Sequence, residues 1–197
     1  MTDLKSFFLE IIRLSVFDPR SAARIILGMK LASDVLWSSV LLVVILSVLL
    51  SYVTMLAAAP VTMFGMGSSP IFLAMFMASN MVFLIFALFW TGKAMGGQGE
   101  LQGFIALVTW LQTLLLLAQV VQTIMAIVSP LLSSWCGIGS LLFGMWILVQ
   151  FVTEAHKFKH WGIGLLSLVL AVLGVSAGLS ILLSLIGVGT LGISGYV

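Results

Sequence analysis

The sequence predicts an all-α integral membrane protein with five transmembrane helices, and three observations lead to that fold class. Apolar residues make up 62% of the chain and charged residues only 7%, whereas a soluble domain carries about 25% charged residues. Mean hydropathy is +1.30. The charges fall into three short clusters separated by long uncharged stretches. So few charges cannot cover a surface that faces water, and lipid must therefore surround most of the chain.

The number of spans follows from the length of the uncharged stretches. Residues 35–92, 101–153 and 160–197 carry no charge. Because a spanning helix needs about 20 apolar residues, each of the first two stretches accommodates two spans joined by a turn, and the last accommodates one span and a tail. A membrane unit at residues 35–197 is therefore predicted, with spans at about residues 35–58, 70–91, 101–128, 131–152 and 161–186.

The charge distribution also predicts the orientation. An apolar hairpin returns the chain to the side it left, so all three charged clusters must lie on one face of the membrane. All eight Lys and Arg residues belong to these clusters. Because basic residues mark the cytoplasmic face, we predict a cytoplasmic N-terminus and a C-terminus outside.

Residues 1–34 are predicted to form a cytoplasmic unit of short interfacial amphipathic helices. Residues 3–16 gather their apolar side chains on one helix face and most of their charged ones on the other, which is typical of a helix lying on a membrane surface. We favour a helix that docks on the bundle over one that binds a partner or senses curvature.

A second short helix is predicted to start after Asp18, which suits an N-cap, with Pro19 at the first helical position. Its cations lie broadly on one side and are candidate contacts for anionic lipid headgroups: Arg20, Arg24 and Lys30. A general positive-inside anchor is the alternative to a specific lipid site, and it is the interpretation that we favour.

The first two spans contain one strongly polar side chain near mid-span, Asn80. It needs a hydrogen-bond partner inside the bundle, so it is predicted to face inward. The uncharged turn at residues 61–70 is expected at the outer interface, and the tail at residues 187–197 is expected outside.

The stretch from Trp90 to Thr123 is the predicted centre of the protein. Its glycine-rich loop supplies candidate functional residues on the cytoplasmic side: Lys93, Gly96, Gly97, Gly99 and Glu100. A Walker phosphate loop needs Ser or Thr after its lysine, but Ala94 follows Lys93 here. A tight cytoplasmic turn is the interpretation that we favour for this loop.

The third span carries a stripe of polar residues. Five of them lie within an arc of about 120° on a helical wheel: Thr109, Gln112, Thr113, Gln119 and Thr123. Glutamines that face lipid are costly, so the stripe is predicted to face protein or a cavity. Interhelical hydrogen bonding is the favoured explanation. A polar groove for a headgroup or a small solute, shared with Asn80, is the alternative.

Two further patterns concern the last two spans. His156 and His160 lie four residues apart near Glu154, and a basic inner loop explains them better than a metal site does. In the fifth span, small residues at helical spacing form a helix-packing face: Ser167, Ala171, Gly174 and Gly178. Such a face allows close helix approach, within the bundle by default or in a homodimer as the alternative.

Several of these segments resemble the Yip1 domain family: the DPR-AAR segment, the five spans, and the GGQG-EL-GFIALVTW stretch. The resemblance covers most of the chain from about Phe17 and implies a bacterial member in the cytoplasmic (inner) membrane. Eukaryotic relatives are implicated in vesicle traffic and bind Rab-type small GTPases through cytosolic N-terminal regions. Here only about 34 residues precede the first predicted span. The family supplies no catalytic residues.

The sequence therefore predicts a non-enzymatic membrane protein that organises membrane, lipids or partner proteins. No predicted span contains an ionisable Asp, Glu, Lys, Arg or His, and these groups are needed by proton-coupled pumps and intramembrane metalloproteases. The alternative is a small transporter or lipid-handling protein that uses the polar groove. We expect no cofactor, no metal and no nucleic acid; the expected partners are membrane lipids, a second copy or another membrane protein.

Overall fold

The computed structural model describes residues 2–57 and 69–185, and every regular element within these ranges is a helix. In chain order the helices are α1 (Thr2–Phe17), α2 (Pro19–Gly28), α3 (Ser33–Ala57), α4 (Pro70–Ala94), α5 (Leu101–Val128), α6 (Pro130–Ala155) and α7 (Trp161–Leu185). Among these, five helices, α3 to α7, are long and apolar enough to cross a membrane. The predicted all-α class and the prediction of five helices suited to span a membrane are therefore confirmed. The orientation of the termini and the interfacial position of the first two helices stay predictions.

Two of the predictions fall mainly outside the described residues. These are the outer turn between the first two spans, of which only residues 69 and 70 are described, and the tail at residues 187–197.

The starts of three helices show why the chain becomes helical at those points. Asp18 caps α2 by accepting a hydrogen bond from the N–H of Ser21, and Ser69 caps α4 in the same way. Pro19, Pro70 and Pro130 begin their helices, where the missing N–H of proline costs no hydrogen bond. The predicted cap at Asp18 and the predicted position of Pro19 are both confirmed.

Helix α5 lies at the centre of the bundle, because it packs against α2, α3, α4 and α6. Helix α7 packs against α4 and α6 instead. The fully buried residues of α5 concentrate in its first half: Phe104, Ile105, Leu107, Val108 and Leu111. Near its other end the side chain of Ile127 is 69% exposed. The helices therefore pack most tightly at the end where α5 begins.

The connections after α2, α4 and α6 meet at this tightly packed end. Leu31, Gln98 and Lys157, one from each connection, line the same cleft. We call this region the charged end: helix α2, the loop at residues 95–100 and the turn at residues 156–160. Residues of all three charged clusters thus lie together, as their spacing predicts, and the assignment of this end to the cytoplasm stays a prediction.

Helix α1 docks onto the bundle through a tryptophan of α5. The indole Nε1–H of Trp110 donates a hydrogen bond to Oγ of Ser15 at 2.8 Å. The ring of Phe8 meets the Trp110 ring edge-on, with centroids 5.1 Å apart. Ile11 and Ser15 are buried, whereas Leu9 and Phe17 remain 66% and 79% exposed. The contacts agree with a docking helix, and the exposed side chains leave apolar surface free for membrane.

Helix α2 is enclosed more deeply than a helix resting on a membrane surface requires. It packs against α1, α5 and α6, and Ala22 and Ala23 are completely buried. Leu27 approaches α5 at Gly103, where a β-carbon would lie 2.6 Å from the Leu27 Cδ2 atom. Small residues on α2 and α5 therefore allow α2 to pack closely between α1, α5 and α6 at the charged end.

Candidate functional site at the charged end

His156 is the most enclosed ionisable side chain at the charged end. It follows the last residue of α6 and is 1% exposed. Its Nδ1 accepts a hydrogen bond from the N–H of Gly99 at 3.2 Å, and its Nε2 lies 3.2 Å from the carbonyl oxygen of Leu88. Because Nδ1 accepts, Nε2 carries the proton of the neutral ring and donates it to Leu88. One imidazole thus joins α4, the glycine-rich loop and the end of α6.

Glycines in the last turn of α4 and in the loop form the socket that receives this ring. A β-carbon at Gly92 or Gly97 would collide with the His156 imidazole, and one at Gly99 would lie 2.9 Å from its Nδ1. Gly96 has a φ of +84° and so makes the left-handed turn of the loop. The loop is a tight turn, as predicted, and it also encloses a histidine 57 residues further along the chain.

The surroundings of His156 favour its neutral form. Burial lowers the pKa of His156 below its ordinary value of 6.5, the charge of Lys93 lowers it further, and the hydrogen bond to Leu88 opposes the shift. The rings of Phe104 and Phe158 lie 4.7 and 5.2 Å from the imidazole, centroid to centroid. Both ring nitrogens are occupied, so the imidazole fastens the loop and is not free to act as a base.

The prediction that a basic inner loop explains both histidines is wrong for His156, which is buried in the socket. It also does not share a helix face with His160, because α6 ends at Ala155 and the chain turns at Lys157 with a φ of +57°. Across the described ranges, no group of three or more His, Cys, Asp or Glu side chains comes together in a way that could hold a metal ion.

Helix α2 is fastened to α6 by two polar contacts one helical turn apart. The Nε–H of Arg20 donates to Oε1 of Gln150 at 2.7 Å. Arg24 forms a salt bridge of 3.0 Å with Glu154. From the sequence both arginines were candidate headgroup contacts, with a general positive-inside anchor as the favoured interpretation. These protein partners, which lie about 130 residues away, were not predicted. Contact of the two side chains with headgroups stays a prediction.

Beside the socket lies a cleft of about 380 Å³ between α2, α5 and the connections of the charged end. One part of its wall is apolar and includes Ile26, Leu31 and Leu36. The other part is polar and consists of Lys30, Gln98, Glu100, Gln102 and Lys157. The cleft contains two predicted candidates, Lys30 and Glu100, and one lysine, Lys157, that sequence reasoning did not select.

The half of the α5 polar stripe that lies farther from the charged end packs against α3. Nε2 of Gln119 donates to Oγ of Ser51 at 3.3 Å, and the hydroxyls of Thr123 and Thr54 lie 2.7 Å apart. Thr113 bonds within its own helix, to the carbonyl oxygen of Thr109. This part of the stripe faces protein and makes the interhelical hydrogen bonds that were favoured over a groove.

The middle of the stripe has a different environment. Gln112 lines a pocket of about 280 Å³ between α3, α4 and α5, together with Ser47 and Asn80. Among the described residues, the buried hydroxyls of Ser47 and Thr109 make no hydrogen bond. Asn80 was predicted to face inward to a hydrogen-bond partner; it borders this pocket but makes no hydrogen bond within the described residues. Its side chain is exposed, because it also borders the open groove between α4 and α7.

The small-residue face of α7 divides into two halves. Ser167 and Ala171 are buried, and the Ser167 hydroxyl lies 3.3 Å from that of Thr91 on α4. Gly174 and Gly178 instead border an open groove of about 710 Å³ between α4 and α7. Half of the face therefore packs within the bundle, and homodimerisation through the other half stays a prediction. Helices α6 and α7 also approach closely at Gly164, where a β-carbon would collide with Thr153; this contact was not predicted.

Comparison with known proteins shows that most of the chain matches one family. The family model of the Yip1 domain matches residues 13–191. The matched range includes α2, the glycine-rich loop, His156 and both lysines of the cleft. Neither the curated proteins nor the solved structures contain a match to the chain.

Proposed function

This chain belongs to the Yip1 domain family, and we propose that it is a non-enzymatic membrane protein that organises bilayer lipids through its charged end. The proposal places the charged end on the cytoplasmic side of a bacterial inner membrane. The tightly packed unit there is built from the segments that carry the family resemblance: α2, the glycine-rich loop and the start of α5.

One observation carries the proposal: the wall of the cleft at the charged end is amphipathic. Apolar side chains such as Ile26 and Leu36 form one part, and charged or amide side chains such as Lys30 and Gln98 form the other. The cleft lies at the ends of the spans. Its apolar part suits the start of the acyl chains of a lipid, and its polar part suits the headgroup. A soluble metabolite would leave the apolar part uncovered, and an acyl chain alone would leave the polar part without partners.

The chemistry of the charged end supports a binding role. His156 is neutral and uses both ring nitrogens for hydrogen bonds to the main chain, so it is already committed to holding the loop. A general base has to reach a proton of the substrate, and a nucleophile has to sit beside such a base. The geometry around His156 instead fixes the loop beside the cleft.

Native mass spectrometry of the detergent-extracted chain tests the proposal. We expect phospholipid to stay bound to the folded wild type, and Ala106→Phe to displace it, because Ala106 lines the cleft. Ala177→Phe is the matched control, because residue 177 is exposed on α7 away from the cleft. A folded wild type that retains no lipid, or equal lipid binding by the two variants, would refute lipid binding in this cleft.

A second candidate function, transport of a small polar solute, is favoured by the pocket at Gln112. Three polar side chains, Ser47, Asn80 and Gln112, line it at the middle of the spans, where lipid offers them no hydrogen bonds. Cysteines at residues 80 and 112 in a Cys136→Ser background would test it. Rapid reaction with a membrane-impermeant thiol reagent supports a water-filled path, and protection from the reagent opposes it.

A further inference from the structure

We propose that the cleft at the charged end binds the headgroup of an anionic phospholipid, with Lys30 and Lys157 on either side of its phosphodiester. This inference rests on the proposed function and names the lipid class. It follows from the charge, the position and the apolar wall of the cleft.

The two lysines are available to a ligand. Both line the cleft and both are exposed. Within residues 2–57 and 69–185 neither ammonium group has an ion-pair partner, since the salt bridge found there joins Arg24 to Glu154. An ammonium group near an anionic membrane surface attracts phosphate-bearing headgroups. Two unpaired cations on one small cleft therefore point to an anion.

The two lysines follow two different helices at the charged end. Each has left-handed backbone geometry, with a φ of +43° at Lys30 and +57° at Lys157. The N–H of Lys157 donates to the carbonyl oxygen of Glu154 at 3.1 Å, and that of Phe158 donates to Thr153 at 2.9 Å. Lys157 thus belongs to the hydrogen-bonded end of α6, and Lys30 follows the enclosed helix α2. The two lysines thus come from different connections, one after α2 and one after α6, and both line the cleft.

The net charge of the cleft selects between kinds of phosphate. Lys30 and Lys157 contribute two positive charges and Glu100 contributes one negative charge, which leaves one net positive charge. A phosphodiester carries one negative charge and matches it, whereas a phosphomonoester carries nearly two. The amides of Gln98 and Gln102 and the Glu100 carboxylate add hydrogen-bonding groups on the same side. A phosphodiester with a neutral, hydroxyl-bearing headgroup, such as that of phosphatidylglycerol, fits this set.

The apolar wall distinguishes a lipid from a soluble phosphate. Ile26 and Leu27 of α2, Leu31 and the first turns of α3 and α5 line the cleft beside the polar groups. Its volume of about 380 Å³ lies within the range of ligand pockets. The headgroup and glycerol region can occupy it while the acyl chains continue into the bilayer along the spans. We therefore assign the site to a membrane lipid.

Lipid titrations monitored by native mass spectrometry test the inference on the full-length chain. The probes are phosphatidylglycerol, phosphatidylethanolamine and phosphatidylcholine, with soluble glycerol phosphate as a competitor. We expect phosphatidylglycerol to bind most tightly, and Lys30→Gln and Lys157→Gln each to weaken it about fivefold. The charge-preserving variants Lys30→Arg and Lys157→Arg should retain most of the binding.

Lys159→Gln is the matched control, because Lys159 lies in the same turn, is exposed and is not part of the cleft wall. Equal loss in Lys159→Gln and Lys157→Gln, or equal binding of the three lipids, would overturn the anionic-lipid assignment and leave lipid binding in place. Full displacement by glycerol phosphate would reassign the site to a soluble phosphate. Absence of any retained lipid would overturn the proposed function itself.

Discussion

The main-chain N–H of Gly99 donates a hydrogen bond to Nδ1 of His156, 3.2 Å away and 57 residues along the chain. The carbonyl oxygen of His156 accepts a second bond from the N–H of Gln98, also at 3.2 Å. The connection between α4 and α5 is thus joined to the end of α6 by both the ring and the main chain of one histidine. Gly92 at the end of α4, the glycines of the loop and this histidine form one structural unit.

This unit predicts an unusual effect for alanine at Gly92. Alanine normally stabilises a helix relative to glycine by up to about 1 kcal/mol. At Gly92, which is buried in α4, the added methyl group collides with the His156 ring. We expect Gly92→Ala to lower the free energy of unfolding by about 1–3 kcal/mol, measured as denaturation in mixed detergent micelles.

Gly139→Ala is the control for this substitution. Gly139 is also helical, but no neighbouring atom lies within 4 Å of the position that its added methyl group would take, so the change should be neutral or stabilising. Combining Gly92→Ala with His156→Ala should remove most of the added cost of the alanine, because the ring is no longer present. A similar cost for Gly92→Ala with and without the imidazole would contradict the socket.

The buried imidazole also predicts how stability depends on pH. Since burial lowers the pKa of His156 in the folded protein, the unfolded chain binds a proton below about pH 6.5 that the folded chain resists. Stability is therefore lost as the pH falls from about 6.5 towards the lower pKa of the folded state. We expect the midpoint of wild-type unfolding to decrease when the pH is lowered from about 7 to about 5.

The variant His156→Asn removes the titrating group and should flatten this part of the pH profile. Asp18 does not interfere in this window. Its hydrogen bonds to Ser21 lower its pKa below 3.8, so its contribution is lost only under more acidic conditions. Parallel profiles for the wild type and His156→Asn would show that the buried ring does not set the pH dependence.

Some features of this fold were predictable because a bilayer imposes them. A span needs about 20 apolar residues with all main-chain groups bonded internally, so the third span was predicted at residues 101–128 and observed at Leu101–Val128. The cap at Asp18 depends on adjacent residues and was predictable for that reason. The predicted end of the second span at residue 91 was three residues early, because Gly92, Lys93 and Ala94 continue the helix.

Other features depend on contacts between distant residues, which a single sequence does not reveal. In the sequence His156 lies in a polar stretch like that of any histidine in a loop. Only the tertiary fold brings it to Gly97 and Gly99. The same holds for the partners of Arg20 and Arg24 on α6. A helical wheel places Asn80 on one side of α4, but it does not say which neighbouring helix covers that side. The packing of α4 leaves Asn80 at the edge of the open groove between α4 and α7.

The two contacts between α2 and α6 should differ in strength. In the Arg24–Glu154 pair the side chains are 63% and 25% exposed, so a double-mutant cycle should give less than about 1 kcal/mol, decreasing with added salt. Arg20 and Gln150 are half-buried and 2.7 Å apart, and a hydrogen bond from a charged donor contributes about 1.5 kcal/mol or more. Equal coupling energies in the two cycles would contradict this order.

The glutamines of α5 should respond in opposite ways to replacement by leucine. Gln119→Leu removes the hydrogen bond to Ser51 and should cost about 0.6–2 kcal/mol in the membrane. Gln112 makes no hydrogen bond within the described part of the chain, so Gln112→Leu should be neutral or stabilising in the same unfolding measurement. An equal loss for both variants would show that Gln112 has a partner in the bilayer and would favour the solute pocket.

The orientation predicted from the charges can be tested with the connections now located. In a Cys136→Ser background, Lys159→Cys places a thiol in the exposed turn of the charged end, and Leu131→Cys places one at the start of α6, at the opposite end of that helix. Basic connections stay on the cytoplasmic side. A membrane-impermeant maleimide added to intact cells should therefore label Leu131→Cys and spare Lys159→Cys until the membrane is opened. The reverse pattern would place the charged end and its lipid cleft outside, contradicting the cytoplasmic assignment.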